Sequence, residues 1–374
     1  MERFNFVATS LFGLEKFTND TIKDLGYSLD GTHAIDGRSF FLGDLDAIPR
    51  CNMHLATAER LYILLGEFPC QSFDDLFEGT KALDWERWIG KNDIFPVKGH
   101  AIQSKLSSIP DCQSIVKKAV VDRLGSKYNI SWFQETGVKY QIEFFIFKDT
   151  AYLMIDTTGE GLHKRGYRPH TADAPLRETL AAALVRIARA SHSVVLHDPM
   201  CGSGTIPIET ALYLTNTPPG INRKFACSAF PQIPEELWND AREDAISEIN
   251  CDPYEIIGSD INPQAIDIAK QNAKRAGVKG ISFKTMDVKD VTSQGKRGTI
   301  ICNPPYGERL MSMEAVSILY AMMGKTFASL EGWHSYILTS DELFERYYGR
   351  RADKVRKLYN GMIKCNLYQY FKRR

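Results

Sequence analysis

The chain has 374 residues, of which 44% are hydrophobic, so it is too long for one ordinary core and suits two or three domains. No apolar stretch approaches the length of a membrane span, and the N-terminus lacks the charged-then-apolar order of a signal peptide; we therefore expect a cytoplasmic protein with no membrane partner. The eight cysteines form no C-x-x-C pair and no Cys/His cluster, which predicts reduced thiols and no metal site.

The balanced formal charge hides local basic regions. Lys and Arg together number 46, as do Asp and Glu, but residues 98–168 carry eleven basic against seven acidic side chains and residues 345–374 carry ten against two. Phosphate binding needs local basic surface rather than net charge. A nucleic-acid partner therefore stays open, beside the alternative that a basic tail only makes the chain more soluble.

The first 158 residues alternate strand and helix patterns. In chain order, the patterns predict a strand at 6–9, a helix at 14–25, a strand ending at 42, a strand at 60–65, a helix at 72–90 capped by Ser72, a strand near 95–98, a helix at 111–124, and strands at 140–147 and 150–156. Only Lys148 and Asp149 separate the last two strands, which predicts a tight hairpin.

The helix at 111–124 combines an apolar face with outward cations. Lys117 and Lys118, with Lys105 nearby in sequence, could bind phosphates or simply face solvent, and the pattern alone does not separate these alternatives. The segment 104–119 resembles the THUMP domain of RNA-modifying enzymes. The resemblance implies RNA binding and makes these three lysines candidate RNA contacts.

A glycine-rich, basic connector follows at residues 159–170. It contains three cations, Lys164, Arg165 and Arg168, and one aromatic residue, Tyr167. A flexible linker would not need these residue types. The segment resembles the connector between the THUMP and catalytic domains of methyltransferases that modify guanine in ribosomal RNA. There it borders the active-site cleft, so the resemblance makes the three cations candidate RNA contacts.

From residue 171 onward, apolar strands alternate with helical patterns. This predicts a Rossmann-like α/β domain with a mostly parallel sheet, and the Asn360-Gly361 dipeptide between two β-like runs predicts a hairpin that makes the last strand antiparallel. A non-periodic stretch at 216–234 interrupts the pattern and could be a lid or filler.

Two loops of this domain carry the chemistry, and the first spans residues 197–205. Its Gly202-Ser203-Gly204 turn follows a buried strand and lacks the third glycine of a pyrophosphate-binding loop. Asp260 ends the second strand, where it could bind ribose hydroxyls, and Asp287 follows the third, where it suits an adenine amino group. A nucleoside cofactor is therefore predicted, with a generic nucleotide-binding domain or a nicotinamide dehydrogenase as alternatives. The candidate cofactor-binding residues are Asp198, Gly202, Ser203, Gly204, Thr205, Asp260, Ile261, Asp287, Val288 and Asn303.

The second loop spans residues 302–307, contains Asn303-Pro304-Pro305-Tyr306 and follows the apolar run 299–301. An amino group on a purine is a poor nucleophile, but the Asn303 side-chain oxygen and the Pro304 carbonyl could hold its two N–H bonds, while Tyr306 stacks on the base. The alternative is a simple turn. The tetrapeptide resembles the catalytic motif of amino-directed S-adenosylmethionine methyltransferases, which implies that Asn303, Pro304 and Tyr306 are catalytic.

Together these segments make the chain resemble THUMP-containing guanine-N2 methyltransferases of large-subunit (23S-type) ribosomal RNA, over roughly residues 45–374. The resemblance implies an α/β fold with an N-terminal ferredoxin-like/THUMP α+β region and a class I methyltransferase domain, S-adenosylmethionine as cofactor and RNA as substrate. The implied segments are an N-terminal part at 1–45, a THUMP domain at 46–158, the connector at 159–170 and a catalytic domain at 171–374.

Three alternatives to this function stay open. The target could be tRNA guanine or adenine N6, since the Asn303 motif recognises an amino group rather than one purine. The chain could also be an RNA-binding assembly factor without catalysis.

No dedicated base is needed before methyl transfer, so neither His197 nor Glu308 is assigned a catalytic role.

Overall fold

The computed structural model describes residues 2–31, 35–169, 176–305 and 313–371, without the side chain of Met313. The first half is built on one continuous sheet. Its strands are β1 (Phe4–Ser10), β2 (Ser28–Leu29), β3 (Arg38–Gly43), β4 (Ala58–Pro69), β5 (Val97–Ile102), β6 (Ile142–Phe147) and β7 (Thr150–Asp156), in the order β2-β3-β1-β4-β7-β6-β5. The twelve-residue β4 pairs antiparallel with β1 on one side and β7 on the other, so it joins the two parts of this half.

The helices of the first half differ from the prediction in two places. They are α1 (Glu15–Asp24), α2 (Ala47–His54), α3 (Phe73–Lys81) and α4 (Ile109–Tyr128). The sequence pattern missed α2, because six of its eight residues are buried and its polar face consists of Arg50 and His54 alone. The helix predicted at 72–90 begins at its Ser72 capping box but ends at Lys81, since the chain then turns to bury Trp85 and Trp88 in the core.

The predicted hairpin between β6 and β7 is confirmed. Lys148 and Asp149 form its two-residue turn with φ of 47° and 61°. Positive φ at both positions matches the twist of the flanking strands. The hairpin therefore needs no glycine.

The second half contains the mostly parallel sheet. Its strands are β8 (Val195–Asp198), β9 (Ile256–Asp260), β10 (Ile281–Thr285), β11 (Gly298–Cys302), β12 (Trp333–Thr339), β13 (Lys354–Asn360) and β14 (Ile363–Tyr370), in the order β10-β9-β8-β11-β12-β14-β13. Its helices are α5 (Glu178–Ile187), α6 (Thr205–Leu214), α7 (Glu235–Ser247), α8 (Pro263–Ala276), α9 (Met313–Ser329) and α10 (Phe344–Tyr348). As predicted, the last strand, β14, runs antiparallel to its neighbours β12 and β13.

The strand order places a topological switch between β8 and β11. The chain moves outward from β8 through β9 to β10, and the later strands continue on the other side from β11. Ligands of open α/β sheets bind at the carboxyl ends of the strands at such a point. The two loops singled out in the sequence follow these two neighbouring strands.

The stretch at 216–234 is an interface between the two halves rather than a free lid. Phe230 stacks on Tyr140 of the first half with ring centroids 4.2 Å apart, and the Gly220 amide donates to the Met53 carbonyl at 2.9 Å. Phe225 and Phe230 belong to the same buried core as the first sheet. The insertion therefore fixes the catalytic half against the N-terminal half.

No helix in the described part of the chain is long and apolar enough to cross a membrane.

Candidate active site

The glycine loop between β8 and α6 borders open space. Gly202 has a φ of +50°, and a Cβ added there would meet nothing within 4 Å. Gly204 has a φ of +83°, and its added Cβ would lie 3.0 Å from the Ala269 Cβ on α8. One glycine therefore leaves room for a ligand, while the other allows close packing of the next helix.

Asp198 and Asp260 hold the backbone of this loop through hydrogen bonds. The Asp260 carboxylate accepts hydrogen bonds from the backbone amides of Gly202 and Asn262, both at 2.9 Å. Asp198 accepts from the Met200 amide at 3.2 Å, and burial, together with the charge of Asp260, raises its pKa well above the usual range. The two acids therefore fix the loop backbone, and the Asp260 side chain is only partly buried.

The neighbouring predicted cofactor residues lie in the loops that follow β9 and β10. Ile261 is exposed beside Asp260, and Val288 is buried. Asp287 accepts from the Lys289 amide at 3.1 Å and pairs with the Lys289 ammonium at 3.2 Å. These hydrogen bonds, the backbone one foremost, lower the pKa of Asp287, so its carboxylate is charged at neutral pH.

Asn303 lies at the carboxyl end of β11, on the other side of the switch point. Its side-chain oxygen is buried and has no hydrogen-bond partner among the described residues. A buried acceptor without a partner is uncommon and costs stability, which points to a ligand that supplies the donor. The Tyr320 hydroxyl donates to the Pro305 carbonyl at 3.3 Å and thereby supports the loop. Tyr306 and Glu308 lie outside the described residues.

His197 packs inside the sheet. Its Nε2 atom lies 2.9 Å from the Ser259 hydroxyl, and the side chain is buried. Burial, with a smaller effect of Lys284, lowers the pKa of His197 to about 4. The ring is therefore neutral at physiological pH and serves packing.

The depressed pKa of His197 predicts a pH-dependent stability. Between pH 4 and 6.5 the unfolded chain binds more protons at this residue than the folded chain, so stability rises with pH in this window. We expect His197 to remove about 3 kcal/mol of unfolding free energy between pH 7 and pH 4. Urea titrations of the wild type and of His197→Gln across this range measure the difference. Equal pH slopes of the two proteins would contradict the assignment.

The structure buries two of the predicted RNA contacts in the connector. The Arg165 side chain is 2% exposed and bonds to the Glu209 carboxylate and to the carbonyls of Leu162 and Ala56. The Arg168 side chain is 6% exposed and pairs with Glu178 at 2.6 Å. Both guanidinium groups are held by buried carboxylates, which argues against a direct contact of either one with an RNA phosphate.

The two arginines instead join the connector to the catalytic half. Arg168 donates to the Thr205 hydroxyl at 3.1 Å, and Thr205 lies 3.4 Å from the Ser203 hydroxyl in the glycine loop. Sequence reasoning missed this link. An available signal was the acids Glu178 and Glu209 within otherwise apolar helices, since buried acids need a partner.

The four predicted lysine contacts lie at the surface. Lys105, Lys118 and Lys164 are exposed, and Lys164 pairs with Glu160 at 3.2 Å. Lys117 is partly covered, because its ammonium lies 2.7 Å from Glu135 and above the Phe95 ring. Their role in RNA binding stays a prediction.

Comparison with known proteins identifies the family. Residues 165–369 match the RMKL-like methyltransferase domain, residues 70–156 the THUMP domain and residues 5–62 the RlmL ferredoxin-like domain. The chain belongs to the RMKL-like methyltransferase family. The predicted fold class and family resemblance are thereby confirmed.

Relatives of this RMKL-like chain match along its whole length. The candidate RNA methyltransferase YpsC of Bacillus subtilis is 45% identical over 376 residues, which cover 99% of this chain and 97% of YpsC. A crystal structure is known for a Listeria monocytogenes protein that is described as a predicted N6-adenine-specific DNA methylase. It matches this chain with a TM-score of 0.93 at 45% identity, over 99% of this chain and 97% of the Listeria protein. The structure of SMU.472, a candidate methyltransferase in complex with S-adenosylhomocysteine, gives a TM-score of 0.92 at 40% identity, covering 100% and 99%.

S-adenosylmethionine is the cofactor of this RMKL-like methyltransferase, as the family and the S-adenosylhomocysteine complex of SMU.472 show. The geometry fits such a group, because open space borders Gly202 and the Asp260 carboxylate lies beside it. Among the described residues, no group of three His, Cys, Asp or Glu side chains could hold a metal ion.

Asp260→Ala is expected to weaken cofactor binding. The substitution removes the predicted acceptor for ribose hydroxyls and also releases the Gly202 amide, so we expect the dissociation constant of S-adenosylhomocysteine to rise about 10–100-fold. Isothermal titration calorimetry measures it. Asp267→Ala, at an exposed position on α8, is the matched control. Equal affinities of the two variants would remove Asp260 from the binding site.

Proposed function

We propose that this enzyme methylates an exocyclic amino group in RNA, namely N2 of guanine in large-subunit ribosomal RNA. The observation that carries the proposal is the buried Asn303 side-chain oxygen, which has no hydrogen-bond partner among the residues that the structure describes. It lies at the carboxyl end of β11, next to the strand that carries the glycine loop. An amino group brought to this point would supply the missing N–H donor.

The residues of the site position the amino group. The Asn303 oxygen and the Pro304 carbonyl would each accept one N–H bond, which leaves the nitrogen lone pair aimed across the switch point. Bound S-adenosylmethionine would supply a methyl group on a positively charged sulfur, and S-adenosylhomocysteine would leave with the electron pair of the broken carbon–sulfur bond. Positioning provides most of the rate, and the nitrogen becomes acidic only once it is alkylated, so water suffices to take the proton. Gly202 and Gly204 are proposed to lie against the amino-acid end of the cofactor, Asp260 on its ribose and Asp287 on its adenine.

Several observations support RNA as the substrate. Residues 70–156 match the THUMP domain, and the relative YpsC carries the name of a candidate RNA methyltransferase. Lys105, Lys118 and Lys164 are exposed for phosphate contacts, with Lys117 partly so.

The domain boundaries after residues 45, 158 and 170, and the cytoplasmic location, stay predictions.

A second candidate is methylation of adenine N6. It is favoured by the Listeria monocytogenes relative, which is described as acting on N6 of adenine in DNA. The Asn303 motif would hold this amino group in the same way, since it contacts the N–H bonds rather than the rest of the purine. The two candidates therefore differ in the base and the nucleic acid and share the mechanism.

Methyl transfer to separated nucleic acids tests the proposal. Large-subunit ribosomal RNA, small-subunit ribosomal RNA, tRNA and genomic DNA from a strain that lacks the gene are each incubated with labelled S-adenosylmethionine and the enzyme, and nucleosides are then separated. We expect label in N2-methylguanosine of the large-subunit RNA alone. Label in N6-methyladenosine or in DNA would favour the second candidate, and label in tRNA would change the substrate.

A further inference from the structure

The hairpin of β13 and β14 carries the most exposed large hydrophobic side chain among the described residues. Met362 at its tip is 98% exposed. Asn360 pairs with Ile363, so the two-residue turn is Gly361-Met362 rather than the predicted Asn360-Gly361, and Gly361 has a φ of +64°. A side chain exposed this fully removes no apolar surface from water, so Met362 adds nothing to the hydrophobic core.

The tip stands at the same edge of the sheet as Asn303. The end of β12, Thr339, pairs with Asn366, so the hairpin continues past the neighbouring strand on the carboxyl side. Cys302 is in register with Ile337, which is in register with Tyr368. From strand spacings, Met362 lies about 16 Å beyond the level of Asn303 and about 10 Å to its side.

The hairpin is held firmly next to its tip. The buried Asn360 accepts a hydrogen bond from the Arg177 amide at 3.2 Å. Tyr359 packs edge-on against Phe12 of the N-terminal half, with ring centroids 5.9 Å apart. The apolar tip is therefore presented from a fixed support.

The surroundings of the tip suit a phosphate backbone. The hairpin, residues 354–370, contains four Lys or Arg residues and no Asp or Glu, and Lys364 next to the turn pairs with Glu342 at 3.6 Å. A cavity of about 640 Å³, a size that holds small ligands, lies between the tip and the connector and is bordered by Gly361, Lys164 and Arg177. Its acidic lining residues are Glu160, which pairs with Lys164, and the buried Glu178.

We propose that Met362 is a wedge that enters the base stack of paired RNA when the target base rotates out toward Asn303. Enzymes that modify a base must extract it from its helix, and apolar side chains that enter a base step offset the lost stacking. An unbranched methionine adapts to such a step. This inference rests on the proposed function and assigns a paired RNA region as its substrate class.

Paired and unpaired forms of one target distinguish this role. The RNA segment that receives label in the transfer experiment is prepared as a stem with the target base paired, and as the same stem with an abasic site opposite the target. We expect Met362→Ala to lower kcat/KM about tenfold on the paired stem and less than twofold on the abasic one, because the second target is already unpaired. Met362→Leu should keep most of the wild-type rate on both.

Ile246→Ala is the matched control, since Ile246 is 54% exposed on α7, another apolar surface residue. It should reduce transfer to neither stem. Equal losses of Met362→Ala on both stems, or no loss on either, would overturn the wedge and leave the proposed function standing. If the wild type methylates no RNA at all, the proposed function fails and the wedge falls with it.

Discussion

Asn303→Ala is expected to lower methyl transfer about 10²–10³-fold, the size of loss seen when one preorganised polar group is removed from an active site. The variant loses the acceptor that holds one N–H bond of the target amino group. Its backbone and Pro304 remain, so we expect the affinity for S-adenosylhomocysteine to change only a few-fold. Initial rates with saturating cofactor, together with calorimetric titration, separate the two effects.

The matched control is Asn239→Ala, at an exposed position of α7. It removes the same chemical group far from the sheet edge and should transfer methyl groups at the wild-type rate. Full activity of Asn303→Ala would contradict the proposed mechanism, because that mechanism requires this side-chain oxygen. A loss of cofactor binding as large as the loss of rate would instead make Asn303 mainly a cofactor ligand.

Arg165→Ala is expected to have the largest effect on stability, a loss of about 3 kcal/mol in unfolding free energy. The substitution leaves the Glu209 carboxylate buried without its cation and leaves the carbonyls of Leu162 and Ala56 without a donor. Burial already raises the pKa of Glu209, so protonation of this acid limits the loss. Urea unfolding followed by tryptophan fluorescence measures it.

The adjacent residue provides the control for this prediction. Lys164 has a 61% exposed side chain that forms only a surface pair with Glu160 in the same segment. Lys164→Ala should therefore change stability by less than about 0.5 kcal/mol. If both variants unfold at the same urea concentration, the buried pair does not hold the connector in place.

The fold of the catalytic half could be predicted because its local patterns agree with one another. Asn262 caps α8 through the Gln264 amide, Pro263 begins the helix, and Gly277 ends it with a φ of +75°. Buried strands alternate with such helices, and this alternation specifies a parallel sheet. The helix α2 was not predicted because it is buried around most of its circumference and its polar face is only two residues, Arg50 and His54.

The candidate cofactor loops could also be placed from sequence, since glycine and acid positions at strand ends are local features. The partners of the connector arginines could not be predicted from sequence. Whether Arg165 and Arg168 face RNA or a buried acid depends on Glu209 and Glu178, which lie 44 and 10 residues away. The packing of the 216–234 stretch against Tyr140 is likewise a long-range contact that no local pattern contains.

Nucleoside analysis of large-subunit ribosomal RNA from cells tests the central claim most directly. RNA is compared from a strain lacking the gene, from the same strain carrying the wild-type gene, and from one carrying Asn303→Ala. We predict that N2-methylguanosine at one or more positions is lost in the first, restored in the second and absent in the third. An unchanged N2-methylguanosine content in all three strains would contradict the account.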